Sequence, residues 1–296
     1  MRGGRRVIRG VLYLLSAALM FSLSTVFLKF ATLPPYHVSP AFVTLMRFVM
    51  GFVLFSGLAW YYRERLVPNK PGAVAFRAVA NTAAVILLFT AVNYTTVTKA
   101  NILNLTYPAF IFLAAPFIAN ERQQWHGYIL MLTTLCGAAL VLLGGGAGIA
   151  GGVNRGDVLA LSSGIVSGLA VSGLRQARKF DSSLVILFYQ LAFGTAVSLV
   201  MLPSLREIPT GWGLGLALAA GLLSNVGQYF ITEGYRYISA GLGGIVLESG
   251  ILFGALFGII LFHDPLTLPV AAGGLLIIGS IALVSVWNQR ARTARS

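Results

Sequence analysis

Charged side chains are what this sequence has least of: Asp, Glu, Lys and Arg make 10% of its 296 residues, against about 25% in an ordinary soluble domain. Acids are the rarer sign, eight against 21 Lys and Arg. With 57% apolar residues and a mean hydropathy of +0.84, no globular core could hide so much apolar surface. A water-soluble fold is excluded, and lipid becomes the solvent. Cysteine is confined to Cys136, so a disulfide within the chain and a Cys-based metal site are excluded. His37, His126 and His263 stand at the edges of apolar runs and form no i, i+4 ligand pair. The glycines at 144–146 and 151–152 are followed by Val153-Asn154-Arg155, not GKS or GKT. That excludes a phosphate loop and leaves a flexible linker. No metal or other cofactor is expected.

Long apolar runs are what the sequence has instead. A span of the ~30 Å hydrocarbon layer needs about 17–25 residues. Ten windows qualify: 8–31, 40–62, 73–94, 98–119, 125–144, 157–179, 183–203, 212–234, 240–262 and 266–287. Arg2, Arg5, Arg6 and Arg9 precede the first. It is too long for a signal peptide and is followed by no small-residue cleavage site before Pro34, so it is read as a span. A net charge of +13 would suggest a nucleic-acid partner in a soluble protein; here its placement decides. With the N-terminus inside, sixteen Lys and Arg, Arg77 among them, fall at the inner ends. Lys99, Arg155 and Arg206 fall outside, and Lys29 and Arg47 lie within spans. This bias predicts both termini on the cytoplasmic side and no nucleic-acid partner.

The chain repeats across its linker. A shift of 143 carries Tyr94 to Tyr237, Glu121 to Asp264 and Arg47 to Gln190, and Asn81 and Asn225 match within a residue of it. The expected fold is all-α and integral to the membrane: ten transmembrane helices as two inverted five-helix repeats, 1–146 and 157–296, joined by 147–156, around a central cavity. An odd number of spans per half inverts the second copy.

Polar residues inside spans are the candidates for chemistry. Asn225, Gln228, Tyr229 and Thr232 recur at i, i+3, i+4, i+7 and share one helix face. Glu248 interrupts the next apolar run. A carboxylate there costs roughly 2.5–3.5 kcal/mol on insertion scales and faces protein or water, not lipid. It could accept a substrate ammonium, carry a coupling proton, or pair with a buried cation. In the first half Asn81, Asn101, Asn104 and Tyr107 complete a predicted substrate-binding set with Asn225, Gln228, Tyr229 and Glu248. A zwitterion needs partners for an ammonium and a carboxylate and an apolar pocket besides. Arg47 is read as structural before functional, Glu233 and Arg236 as an i, i+3 interfacial pair, and Gly250, Gly254 and Gly258 as a smooth face for a neighbouring helix. Trp60, Trp125, Trp212 and Trp287 sit at span ends, where an interfacial belt places them. An intramembrane enzyme would need Ser–His, paired Asp or H-E-x-x-H within spans, and a channel a selectivity ring; neither pattern is present. A secondary transporter of small molecules is the expectation.

Arg47 within AFVTLMRFVMGF, the Tyr94–Ala100 turn, and Pro108 followed by Asn120-Glu121-Arg122 have weaker copies at Tyr237–Gly243 and His263-Asp264-Pro265. In this order they make the chain resemble the drug/metabolite transporter superfamily, in its form with two EamA-type repeats. Within it the chain is most similar to YddG-type exporters of aromatic and other neutral amino acids. The second half departs from the repeat pattern, with Ile251 in place of Pro108 and Gln190 in place of Arg47. The resemblance implies spans one to four and six to nine around the cavity, five and ten at the periphery, and alternating access by rocking. It also implies residence in the inner membrane and export of amino acids or related small metabolites, with another metabolite or a drug-like cation as the alternative; a monomer is the expected form.

Overall fold

The computed structural model describes residues 2–92, 94, 100, 103–104, 106–121, 125–144, 154–200, 209–262 and 267–293. The described secondary structure is helical: α1 (Arg2–Thr32), α2 (Pro40–Tyr61), α3 (Pro71–Val92), α4 (Tyr107–Ile118), α5 (Trp125–Gly144), α6 (Arg155–Ala177), α7 (Ser183–Val200), α8 (Gly211–Gly234), α9 (Ala240–Leu247), α10 (Ser249–Phe262) and α11 (Leu268–Thr293). Seven stretches, α9 and α10 counted together as one, are long and apolar enough to cross a bilayer, and shorter apolar helices accompany them. Phe117, Val200 and Leu268 are at least 80% exposed, as lipid-facing side chains are. Trp60, Trp125 and Trp212 also face outward. This is a multi-pass membrane protein. Residues 145–153, which hold most of the expected linker 147–156, and Asn101 lie outside the described residues.

Local chemistry sets the helix ends. Pro40 and Pro71 open α2 and α3, where a missing N–H costs nothing. Asn154 and Asp157 form a reciprocal capping box at the start of α6, at 3.0 and 2.9 Å. Beyond α4, Asn120 takes a left-handed turn (φ 52°), and the Glu121 N–H closes on the Ala115 carbonyl at 3.2 Å. Asparagine tolerates that conformation, and the turn delivers the Glu121 side chain to the ion pair described below.

The packing has an exchange rule. The helix pairs α1–α8 and α3–α6 are the most extensive; beside them α2–α8 matches α3–α7, and α4–α6 matches α1–α9/α10. Each pair in that list becomes its companion when α1–α5 are swapped for α6, α7, α8, α9/α10 and α11. Two further pairs, α2–α7 and α5–α11, map onto themselves. The dominant contacts therefore run between the halves, not within them.

Glycines permit these approaches. A Cβ on Gly51 of α2 would lie 2.2 Å from Asn225 Oδ1 and 2.9 Å from a Leu191 methyl. Gly51→Ala is expected to cost about 1–3 kcal/mol by overpacking, read as a lowered unfolding temperature in detergent. Gly57→Ala on the same helix, where nothing lies within 4 Å, leaves that temperature unchanged or raises it slightly. The expected glycine ladder of α10 behaves differently. Ser22 of α1 bonds the Gly250 carbonyl at 2.9 Å, but Gly254 meets nothing within 4 Å. The close approaches lie on other helices: a Cβ on Gly194 of α7 would lie 2.3 Å from the Phe48 ring, and one on Gly243 of α9 2.4 Å from the Tyr235 ring.

Candidate functional site

The polar face of α8 looks into protein. Asn225, Gln228 and Thr232 are each at most 3% exposed. Asn225 Nδ2 donates to the Arg47 carbonyl (2.9 Å) and to Gly221 of its own helix (3.0 Å). Gln228 Oε1 accepts from Arg47 Nη2 at 3.2 Å. Thr232 bonds back to the Gln228 carbonyl at 2.7 Å and is satisfied within its helix. Tyr229 stays part-exposed and stacks on Phe55, ring centroids 6.3 Å apart.

A second Arg–Gln pair answers the first. Arg77 of α3 donates from Nε to Gln190 Oε1 of α7 at 2.9 Å; the arginine is 2% exposed and the glutamine 0%. Sequence reasoning placed Arg77 at the inner end of its span. It lies six residues into α3, buried within the bundle. Under the helix exchange, α2–α8 becomes α7–α3, so Arg47–Gln228 becomes Gln190–Arg77 with cation and amide traded. Gln190, read as a loss of the first half's arginine, is a partner for another one. A residue's distance from its helix start was the available signal for Arg77.

Glu248 sits where α9 gives way to α10. It is 1% exposed and neither carboxylate oxygen makes a hydrogen bond of ordinary geometry. The phenol of Tyr107 is the polar group that interacts with it most closely. Pairing with a buried cation, one of the three sequence readings, is absent among the described residues. The interruption at Glu248 has a match in the first half. Leu103 and Asn104 are helical, Thr106 is a turn residue, and α4 follows. Pro108 lacks the N–H that would reach the Asn104 carbonyl, and the Ala109 N–H bonds three residues back to Thr106 at 3.0 Å. On the other side the Ile251 N–H bonds three residues back to Glu248, also at 3.0 Å. Both broken helices present polar groups at the break, the construction that membrane transporters use for binding.

Of the first-half candidates, Asn81 is half-buried with its Nδ2 sealed and unbonded. Asn104 instead donates to Ser163 Oγ (2.8 Å), which donates to the Ala84 carbonyl (2.7 Å). This chain ties the segment before α4 to α6 and α3 and makes Asn104 a packing residue in this conformation. Electrostatic contacts run from Arg47 to Arg77, from Arg77 to the buried Tyr235, and from Tyr235 to Glu248 and Tyr107. With the amides bonded to the two arginines, these groups are taken together as the candidate polar centre. Its buried, unbonded donors are Arg47 Nε, Asn81 Nδ2, Gln190 Nε2 and Gln228 Nε2; its unbonded acceptors are both Glu248 oxygens and Asn225 Oδ1. Buried polar atoms are normally satisfied, so these residues are the candidates for a ligand-binding role. No cluster able to hold a metal occurs among the described residues. A recess of about 570 Å³ at the end of α2, lined by Ser56, Trp60 and Arg63 among others, shares no residue with the centre.

One end of the bundle is clasped. Glu121 pairs with Arg175 at 2.7 Å and accepts from the Ala240 N–H at the start of α9 (2.9 Å). Arg175 also donates to the Tyr235 carbonyl at 2.6 Å, and Lys179 to the Ala119 carbonyl. Arg178 pairs with Glu233 at 3.2 Å, and Ser183 bonds the same carboxylate at 2.6 Å. Burial works to lower the Arg178 guanidinium and Glu233 works to keep it charged. The Asp181 carboxylate accepts the Asn69 and Lys70 N–H groups ahead of α3, at 2.5 and 3.2 Å. The expected Glu233–Arg236 pair is therefore corrected: Glu233 turns inward to Arg178, while Arg236 is exposed beside the Tyr237 ring. Helix spacing alone could not see the better partner on α6.

Comparison with known proteins agrees with this architecture. The profile described as EamA-like transporter family matches twice, over residues 8–143 and 154–286. The chain is 27% identical to a protein of Pseudomonas aeruginosa (strain UCBPP-PA14) named pseudopaline exporter CntI, over 93% of this chain and 95% of that one. It is 25% identical to an uncharacterized transporter of Helicobacter pylori (strain J99), over 95% of each. It is 22% identical to solute carrier family 35 member G1 of Mus musculus, over 95% of this chain and 79% of the other. A solved crystal structure, 19% identical, superposes with a TM-score of 0.81 over 95% of this chain and 98% of its own, which shows the same fold.

Proposed function

The chain belongs to the EamA-like transporter family, and we propose that it is an alternating-access exporter of amino acids or related small metabolites. Ten spans form two inverted five-helix units, 1–146 and 157–296, in the inner membrane with both termini cytoplasmic. The exchange rule in the packing supports the inverted pair, and the relative named as an exporter supports the direction. The observation that carries the reading is the unsatisfied polar centre. Arg47 and Tyr107 keep part of their surface accessible, which leaves them open to a solute. Asn81, Asn225, Gln228, Tyr229, Tyr107 and Glu248 line the substrate path, with Asn101 and Asn104 joining when α4 moves. Glu248 and Tyr107 receive the amine, the amides orient the solute, and the aromatic rings of Tyr229 and Phe55 supply the apolar wall. In this conformation the clasp holds the cytoplasmic end shut; its release, and closure at the other end, constitutes the rocking step.

Purified protein in liposomes loaded with labelled amino acids, with and without a pH gradient, tests this. Efflux of at least one amino acid above protein-free vesicles is expected. Uniform background across the panel would remove amino acids as substrates.

A further inference from the structure

We propose that Arg47 and Arg77 form an oxyanion subsite, and that the solutes carried bear more carboxylate or phosphate groups than amines. This rests on reading the polar centre as the transport site. Among the described residues four arginines make side-chain hydrogen bonds to other parts of the chain, and they are held in two ways. Arg175 and Arg178, at the edge of the bundle, each have a carboxylate at 2.7 and 3.2 Å. Arg47 and Arg77, deeper within it, have only glutamine oxygens and no carboxylate partner among the described residues. A guanidinium taken out of water loses several kcal/mol unless an anion compensates it, and a neutral amide does not.

The free donors fit the missing anion. Arg47 Nε is buried and unbonded, and Arg77 spends only Nε on protein, leaving its Nη groups for a two-pronged contact with a carboxylate or phosphate. Gln190 and Gln228 turn their oxygens to the arginines, which leaves both amide nitrogens unbonded. The donors come from α2, α3, α7 and α8, and the carboxylate of Glu248 stands apart on the α9–α10 break. Two guanidiniums against one carboxylate leave the centre positive. A solute with two oxyanion groups and one amine balances it, and a neutral amino acid does not.

Liposomes loaded with labelled glutamate, glutamine, phenylalanine or inorganic phosphate separate the outcomes, since glutamate and glutamine differ by one carboxylate at nearly constant shape. Glutamate efflux at least tenfold above glutamine is expected. Arg77→Gln and Arg47→Gln bring that ratio close to one, and Arg77→Lys restores part of it; loss of structure alone would lower both fluxes together. Phosphate inhibition of glutamate efflux extends the subsite to phosphate, and its absence confines it to carboxylates. If glutamine or phenylalanine moves as fast as glutamate, the anion preference is wrong although transport stands. If none of the four exceeds protein-free vesicles, the transport-site reading falls as well. Should the arginine variants not fold, the wild-type glutamate-to-glutamine ratio decides alone.

Discussion

Glu248→Gln is expected to abolish measurable transport, a fall of at least 100-fold, while raising the unfolding temperature of the purified protein. The two effects have one cause. The carboxylate is 1% exposed, neither oxygen makes a hydrogen bond of ordinary geometry, and the Tyr107 phenol offsets its burial only in part, so the folded protein bears a desolvation that an amide of the same shape reduces. A gain of about 1–3 kcal/mol is the size such unsatisfied groups command, and gains of this kind at the expense of activity are a common result at functional sites. A carboxylate that served only to hold helices together would give the opposite sign of stability. A less stable variant, or one that still transports at the wild-type rate, would sink the assignment of Glu248 to substrate or proton handling.

Glu121→Ala is the second large effect. Glu121 holds the Arg175 guanidinium and the first N–H of α9 at the same time, both only partly accessible. Its removal costs about 2–4 kcal/mol through an orphaned cation and an uncapped helix start. Amide hydrogen exchange across 239–244 is expected to accelerate at least tenfold, with the unfolding temperature falling by several degrees. Arg236→Ala, which removes an exposed cation beside a tyrosine ring, changes neither. Unaltered exchange at the start of α9 after removal of Glu121 would show that the clasp bears no load.

Much of this was legible in the chain. The apolar runs and the shift of 143 anticipated the helices and their pairing, and the i, i+3, i+4, i+7 spacing put Asn225, Gln228 and Thr232 on one buried face. Glu248 announced itself, being an acid in an apolar run. What sequence could not supply was the identity of each neighbour. Arg77 read as a charge at a span end because it lies near a helix start, and its partner Gln190 is 113 residues away. Glu233 was matched to Arg236 by helical spacing, whereas the nearer cation comes from α6, which only folding brings close. Asn104 bonds Ser163 of α6, a partner 59 residues away that no spacing within its own helix could name. Composition and period report on one helix at a time, and a site between helices is written in their crossings.

The exchange rule also governs how the protein can be made. Ser24 of α1 bonds Ala220, 196 residues further along, and Ser22 bonds Gly250, 228 residues further along. A newly inserted α1 therefore waits in lipid, its small and hydroxylated flank uncovered, until translation is nearly finished. The ribosome cannot complete one half and leave it stable while the other emerges. Long sequence separations of this kind slow assembly and leave incomplete chains open to aggregation, so the C-terminal helices act as the lock that turns a row of inserted segments into a protein.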